Sequence, residues 1–169
     1  DDHIDKLLNY IRYWQASGES LKTSARTKTR LSQIVQEGRF RGGIVPYGYR
    51  LEKQGRFNKK NHEVNEILID PDEAAVVRII FEKYVHEGFG AQRLSRWLYH
   101  NGYLNRKGTN FANTTIIKML KNIMYVGILR SGETRSEIFP ELQIVPLDLY
   151  ERAQELMEAR TMHHNEVPF

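Results

Sequence analysis

The sequence predicts an α+β, predominantly helical fold: a helix-turn-helix-like domain with short strands, preceded by a long projecting helix. Three observations carry this expectation. Apolar residues recur at helical spacing over residues 4–36; a stretch rich in glycine and aromatics with short β-type runs fills 39–69; and three amphipathic segments separated by glycine stops follow Asp70.

Leu7, Leu8, Ile11, Trp14, Leu21, Leu31, Ile34 and Val35 set the first period, which loosens near Ser17-Gly18, so residues 4–36 form one long helix or two stacked ones. Uninterrupted, at 1.5 Å per residue, this helix would reach on the order of 50 Å, and part of it should project. Gly38 stops it. Next comes GRFRGGIVPYGYR, residues 38–50, where arginines and aromatics are spaced by glycines; short strands or an irregular wrap are expected to residue 69, with a polar loop over 58–61. Asp70-Pro71-Asp72-Glu73 then supplies a cap candidate, an N-terminal proline and acids at the positive end of a helix dipole, for a helix ending near Gly88. A second helix is expected over 91–101, burying Leu94, Trp97 and Leu98, and a third over 114–122, capped by Asn113. A hairpin over 125–129 with a turn near Ser131-Gly132, a last helix over 148–160 and a disordered tail complete the plan.

A chain of 169 residues, 40% of them hydrophobic, suits one ordinary domain, or a small one with an appended element. Having no cysteine, it can form no disulfide, thiolate zinc site or cysteine nucleophile, which fits an intracellular setting. Its apolar runs are far too short to span a bilayer and Asp1-Asp2-His3 does not resemble a signal peptide, so no membrane partner is expected. A start without methionine is expected of a piece of a longer protein.

The net charge of +4 says less than its distribution. Residues 88–130 carry Arg93, Arg96, Arg106, Lys107, Lys118, Lys121 and Arg130 and no acid, whereas residues 131–169 are acidic. A charge run is commonly a solvated face, but an acid-free stretch of this length points toward phosphate. On the third helix Thr114, Thr115, Lys118, Lys121 and Asn122 fall on one face and Ile116, Ile117, Met119, Leu120 and Ile123 on the other. Such a face can meet base edges or phosphates in a major groove; an ordinary amphipathic surface helix is the competing reading.

Catalytic signatures are missing. The sequence holds no P-loop, G-x-S-x-G elbow, dinucleotide fingerprint or H-E-x-x-H, and its six histidines are scattered. The helix-start role accounts for Asp70, Asp72 and Glu73, and Ser17, Ser20 and Ser24 have no base nearby in sequence. No catalytic residue, cofactor or metal site is expected in this chain.

The succession GRFRGGIVPYGYRL, then ILIDPDEAAVVRIIFEKYVHEGFGAQRLSRWLYHNGY, then NTTIIKMLKNIMYVGIL resembles the recombinase domain of the large serine recombinases, the integrases and transposases of phages and mobile elements. Its patterns are G-G-x-x-P-Y-G-Y, I-D-P-D-E-A, L-x-x-W-L-x-x-x-G and T-x-I-x-x-x-L-x-N-x-x-Y-x-G, spread over residues 38–130. The resemblance implies a bacterial, cytoplasmic protein that recognises double-stranded attachment-site DNA for integration or excision of a mobile element. It assigns residues 1–38 to a helix linking to a catalytic domain, 39–160 to the DNA-binding domain and 161–169 to the tail. It also implies that the nucleophilic serine, which cuts DNA through a phosphoserine linkage, and a cysteine-bearing zinc domain lie outside this sequence. The piece is then no enzyme and is expected to be monomeric, within a parent that is dimeric or tetrameric on DNA.

Charge and resemblance together give the expected DNA contacts. They are Arg39, Arg41, Tyr47, Tyr49 and Arg50 along the backbone or minor groove; Arg93 and Arg96; Arg106 and Lys107 as a wing or phosphate clamp; and Asn113, Thr114, Thr115, Lys118, Lys121 and Asn122. Core packing is the competing reading for Tyr47 and Tyr49. Two rival functions remain at this point: a stand-alone winged-helix transcriptional regulator, and a protein-interaction module docking through the acidic last helix.

Overall fold

The computed structural model describes the backbone of residues 2–165 and the side chains of residues 4–161. It has the expected α+β, mainly helical architecture with two small antiparallel sheets. Helix α1 (Asp2–Gln36) is continuous, so Ser17-Gly18 does not break it. Its first half stands clear of the domain, with Leu7, Ile11 and Trp14 exposed. Only its last turns dock, burying Val35 and accepting a hydrogen bond at Ser32 from Thr134. Among the described residues, no helix is long and apolar enough to cross a membrane.

Strands β1 (Tyr49–Phe57) and β2 (Glu63–Ile69) form an antiparallel ribbon in register from Tyr49↔Ile69 to Lys53↔Asn65. Tyr49 and Ile67 anchor it in the core, and its far end projects with both faces largely in solvent. Helix α2 (Pro71–Val85) starts as its sequence predicts: Asp70 accepts from the backbone N–H groups of Asp72 and Glu73, each at 3.2 Å, and Pro71 opens the first turn. It buries Ala74, Val76, Val77, Ile80, Phe81 and Tyr84. Helix α3 (Ala91–His100) buries Leu94 and Leu98, while Trp97 stays half-buried against Tyr103 and under the Lys83 ammonium.

Helix α4 (Asn113–Leu120) differs from expectation at its start. Ala112 occupies the cap position and Asn113 is the first helical residue, with no side-chain cap bond. The hairpin also shifts downstream. Residues 123–126 form a 3₁₀ turn, which Asn122 caps by accepting from Met124 N–H, and the strands are β3 (Ile128–Ser131) and β4 (Thr134–Ile138). Gly127 separates turn from strand at φ 90°, where a Cβ would stand 2.5 Å from the Phe139 carbonyl oxygen. The last helix, α5 (Leu147–Asn165), passes the expected end at residue 160, so 161–165 are helical where a disordered tail was expected; residues 166–169 of that tail lie outside the described residues.

One core joins these elements. Tyr49, Phe81, Leu94, Leu98, Ile116, Leu120 and Tyr125 are essentially inaccessible, each contributing about 1.5–3 kcal/mol by burial. Helix α5 packs on α2 and closes the end of α4, where Tyr150 donates to the Lys121 carbonyl (3.1 Å) and Gln154 to that of Leu120 (2.7 Å). These carbonyls have no partner within their own helix, so α5 fixes where α4 ends and which face it turns outward.

Candidate nucleic-acid interface

Burial of Ile116, Met119 and Leu120 against α3 leaves Asn113, Thr114, Thr115, Ile117 and Lys118 exposed on α4, followed by Lys121. Ile117 corrects the helical-wheel assignment: it is 40% exposed beside the polar face rather than part of the buried one. The face therefore offers hydroxyls, an amide, an ammonium and one apolar group, with no carboxylate. These are the groups that address base edges, thymine methyls and phosphates.

The end of α4 opens into a groove of about 520 Å³ lined by Arg39 and Arg41 of the preceding segment, Lys121 and Asn122, and Arg130 of β3. No acidic residue lines it. Gly42 and Gly43, both at φ 97°, form its open wall, and Ile44 at its rim is 95% exposed. Arg39 also reaches Glu37 at 2.8 Å, an exposed pair of small energetic value, while Arg130 is steadied by donating to the Gly132 carbonyl. Arg41, Lys118 and Lys121 have no ion-pair partner among the described residues.

The remaining expected contacts fall elsewhere. Tyr49 is fully buried, with its hydroxyl 2.6 Å from the Met124 carbonyl oxygen and 2.8 Å from that of Leu142, and its ring stacks on Tyr125. Burial raises its pKa far above the ordinary tyrosine value, so it is a core group and not a surface for DNA. Tyr47 is half-buried, edge-on to Phe111 at 5.1 Å, with its hydroxyl directed at the Leu104 carbonyl; burial also raises its pKa. Arg50 is drawn along the ribbon to the Ile69 carbonyl and Glu52.

Arg106 departs most from expectation. Instead of reaching outward as a phosphate clamp, it donates to Glu73 through Nε (2.7 Å) and Nη2 (2.6 Å), to the Val45 carbonyl (2.8 Å), and to the carbonyls of Pro46 and Tyr49. The hydrogen bond to Glu73 raises its pKa against the opposing effect of burial. Its loop is no free wing either: the Asn105 side chain accepts from the backbone N–H groups of Lys107 and Thr109 and donates to Thr109 Oγ1 and the Asn110 carbonyl. Lys107 is exposed beside it, and on α3 Arg96 is exposed while Arg93 lies over the Phe89 ring at 4.0 Å.

Arg130, Ile117 and Ile44 were missing from the expected set. Arg130 carried a signal, as the last cation of the acid-free stretch; the two isoleucines carried none, because apolar side chains are read as core. Among the described residues, no three acidic or histidine side chains gather as metal ligands.

The family model described as Recombinase matches residues 71–160. The fold is similar to that of a chain in a crystal structure of an LSR–DNA complex, LSR denoting a large serine recombinase, with a TM-score of 0.60 and 16% identity over 80% of this chain and 38% of that one. It is also similar to a structure concerned with the sequence requirements of the Listeria innocua prophage attP site, with a TM-score of 0.55 and 16% identity over 79% of this chain and 51% of that one. The sequence thus spans between about a third and a half of the length of these structural neighbours. No curated protein matches it.

Proposed function

The chain belongs to the Recombinase family, and from that premise we propose that it binds duplex DNA as the recognition part of a site-specific serine recombinase. Helix α4 lies against base edges in the major groove, and residues 39–44 follow the backbone into the neighbouring minor groove. The observation that carries this reading is the continuity of the acid-free face of α4 with the groove lined by Arg39, Arg41, Lys121 and Arg130. A cationic channel with adjoining Thr and Asn donors matches the division of DNA contacts into those that position and those that specify. The target is an attachment half-site of a mobile element, and strand cleavage through a phosphoserine belongs to another part of the parent protein. The exposed Leu7, Ile11 and Trp14 on α1 support assembly of that parent as a dimer or tetramer.

A pair of substitutions tests the reading. Lys118→Glu should weaken binding to every duplex and lower the salt slope by about one to two units, whereas Thr115→Ala should relax preference at one base pair and leave the slope nearly unchanged. Uniform losses on all sequences for both, measured by titration of labelled duplexes, would exclude base reading by α4.

A further inference from the structure

We propose that Arg106 and Glu73 form a latch that positions the DNA-contacting arm, residues 39–46, and that Arg106 acts on DNA through this arm without touching phosphate. The inference rests on the DNA reading given above for its functional consequence, but on the geometry alone for the latch.

The arm leaves α1 at Gly38, where Arg39 N–H still donates to the Ile34 carbonyl and Phe40 packs against the core, and beyond Phe40 it has little packing of its own: Gly42 and Gly43 have no atom within 4 Å of an added Cβ, and Ile44 is almost wholly exposed. It becomes fixed at Val45. There the Arg106 guanidinium gathers the carbonyls of Val45, Pro46 and Tyr49 while gripping both oxygens of Glu73. Glu73 in turn accepts from the Gly48 N–H at 2.8 Å, and the Gly48 carbonyl accepts from Asp70 N–H at 3.0 Å. Three distant segments therefore meet at one ion pair: the Asn105-shaped loop, the first turn of α2 and the base of the arm. A guanidinium brings five N–H donors in a planar fork to the carboxylate and the carbonyls together, whereas an ammonium brings three and no bidentate geometry. The Arg106 charge is neutralised by its partner, which leaves it little attraction for phosphate.

Three variants separate a latch from a phosphate ligand. If Arg106 met phosphate, Glu73→Gln would free it and tighten DNA binding, and Arg106→Lys would bind nearly as the parent chain does. The latch predicts the opposite sign: Glu73→Gln and Arg106→Lys each weaken binding by about tenfold or more, the order of one lost charge-assisted hydrogen bond. Hydroxyl-radical protection in the minor groove should fade in both while guanine N7 protection in the major groove persists; Lys118→Ala should show the reverse. Limited trypsin digestion without DNA gives an independent reading. Cleavage after Arg39 and Arg41 should accelerate in Glu73→Gln and Arg106→Lys, with cleavage after Arg78, inside α2, unchanged.

Tighter binding by Glu73→Gln, full rescue by Arg106→Lys, or unaltered cleavage at Arg39 and Arg41 would overturn the latch, as would cleavage rising equally at Arg78. If the parent chain retains no duplex at low salt, the DNA reading fails, and the digestion pattern still decides whether the latch holds the arm.

Discussion

Gly42 and Gly43 have nothing within 4 Å of where a Cβ would stand, whereas at Gly48 a Cβ would lie 2.9 Å from Ile144 Cδ1 and 3.1 Å from Val77 Cγ2. Within GRFRGGIVPYGYR, residues of like composition divide: Arg41 to Ile44 are open to solvent, whereas Gly48 and Tyr49 are wedged into the core. The difference shows that glycine, arginine and tyrosine serve two ends in one short stretch. Upstream of Val45, Gly42 and Gly43 leave the chain exposed with no side chain to shield it; downstream, Gly48 allows the backbone to pass between side chains while Tyr47 and Tyr49 turn inward.

Substitutions sharpen this contrast, and the largest effect is expected at Gly48. Gly48→Ala combines a backbone at φ 101° with a clash in packed surroundings and should cost about 2–4 kcal/mol in urea unfolding. Tyr49→Phe strands the buried Leu142 carbonyl, while that of Met124 keeps the Gly127 N–H, and should cost about 1–3 kcal/mol. It should also change the alkaline limb of stability. Burial raises the Tyr49 pKa, so the unfolded chain loses this proton first; the stabilisation is complete below the ordinary tyrosine value of about 10 and declines as pH rises through it. The variant should lose less stability above about pH 10 than the parent, with the residual slope due to Tyr125, Tyr47 and Tyr150, whose pKa values burial also raises.

On the open side the same class of change should leave folding nearly untouched. Arg41→Ala should keep the unfolding midpoint and lower the salt slope of DNA binding by about 0.9, the value of one phosphate contact. Smallest of all, Gly42→Ala meets no atom and should cost about 1 kcal/mol or less, from its positive φ alone. A Gly42→Ala protein as unstable as Gly48→Ala would break the contrast.

Much of the fold was legible because its signals are local. Asp70-Pro71 announces a helix start, Gly38 and Gly102 end segments, and the 3.6-residue period of α4 marks Ile116 and Leu120 as core. The shared family patterns proved to be chiefly fold-making residues: Tyr49 and Tyr125 stack in the core, Asn122 caps a turn and Gly127 lies against the Phe139 backbone. The candidate site was legible only in part, since its charge could be counted while its directions could not. Arg106 and Lys107 are adjacent and alike in sequence. The turn shaped by Asn105 sends the first toward Glu73 and leaves the second without an ion-pair partner among the described residues, a distinction set by partners far away in the chain. Glu73, read as a dipole acid, could reveal its second role only once Gly48 and Arg106 were seen beside it.

DNA recognition by this chain is best tested by selection from a random-duplex library at two salt concentrations, followed by sequencing of the retained DNA. A defined motif about one helical turn or longer should survive the higher salt, with total retention falling steeply as salt rises. Retention without a motif would contradict recognition by α4, and no retention even at low salt would contradict DNA binding by this chain.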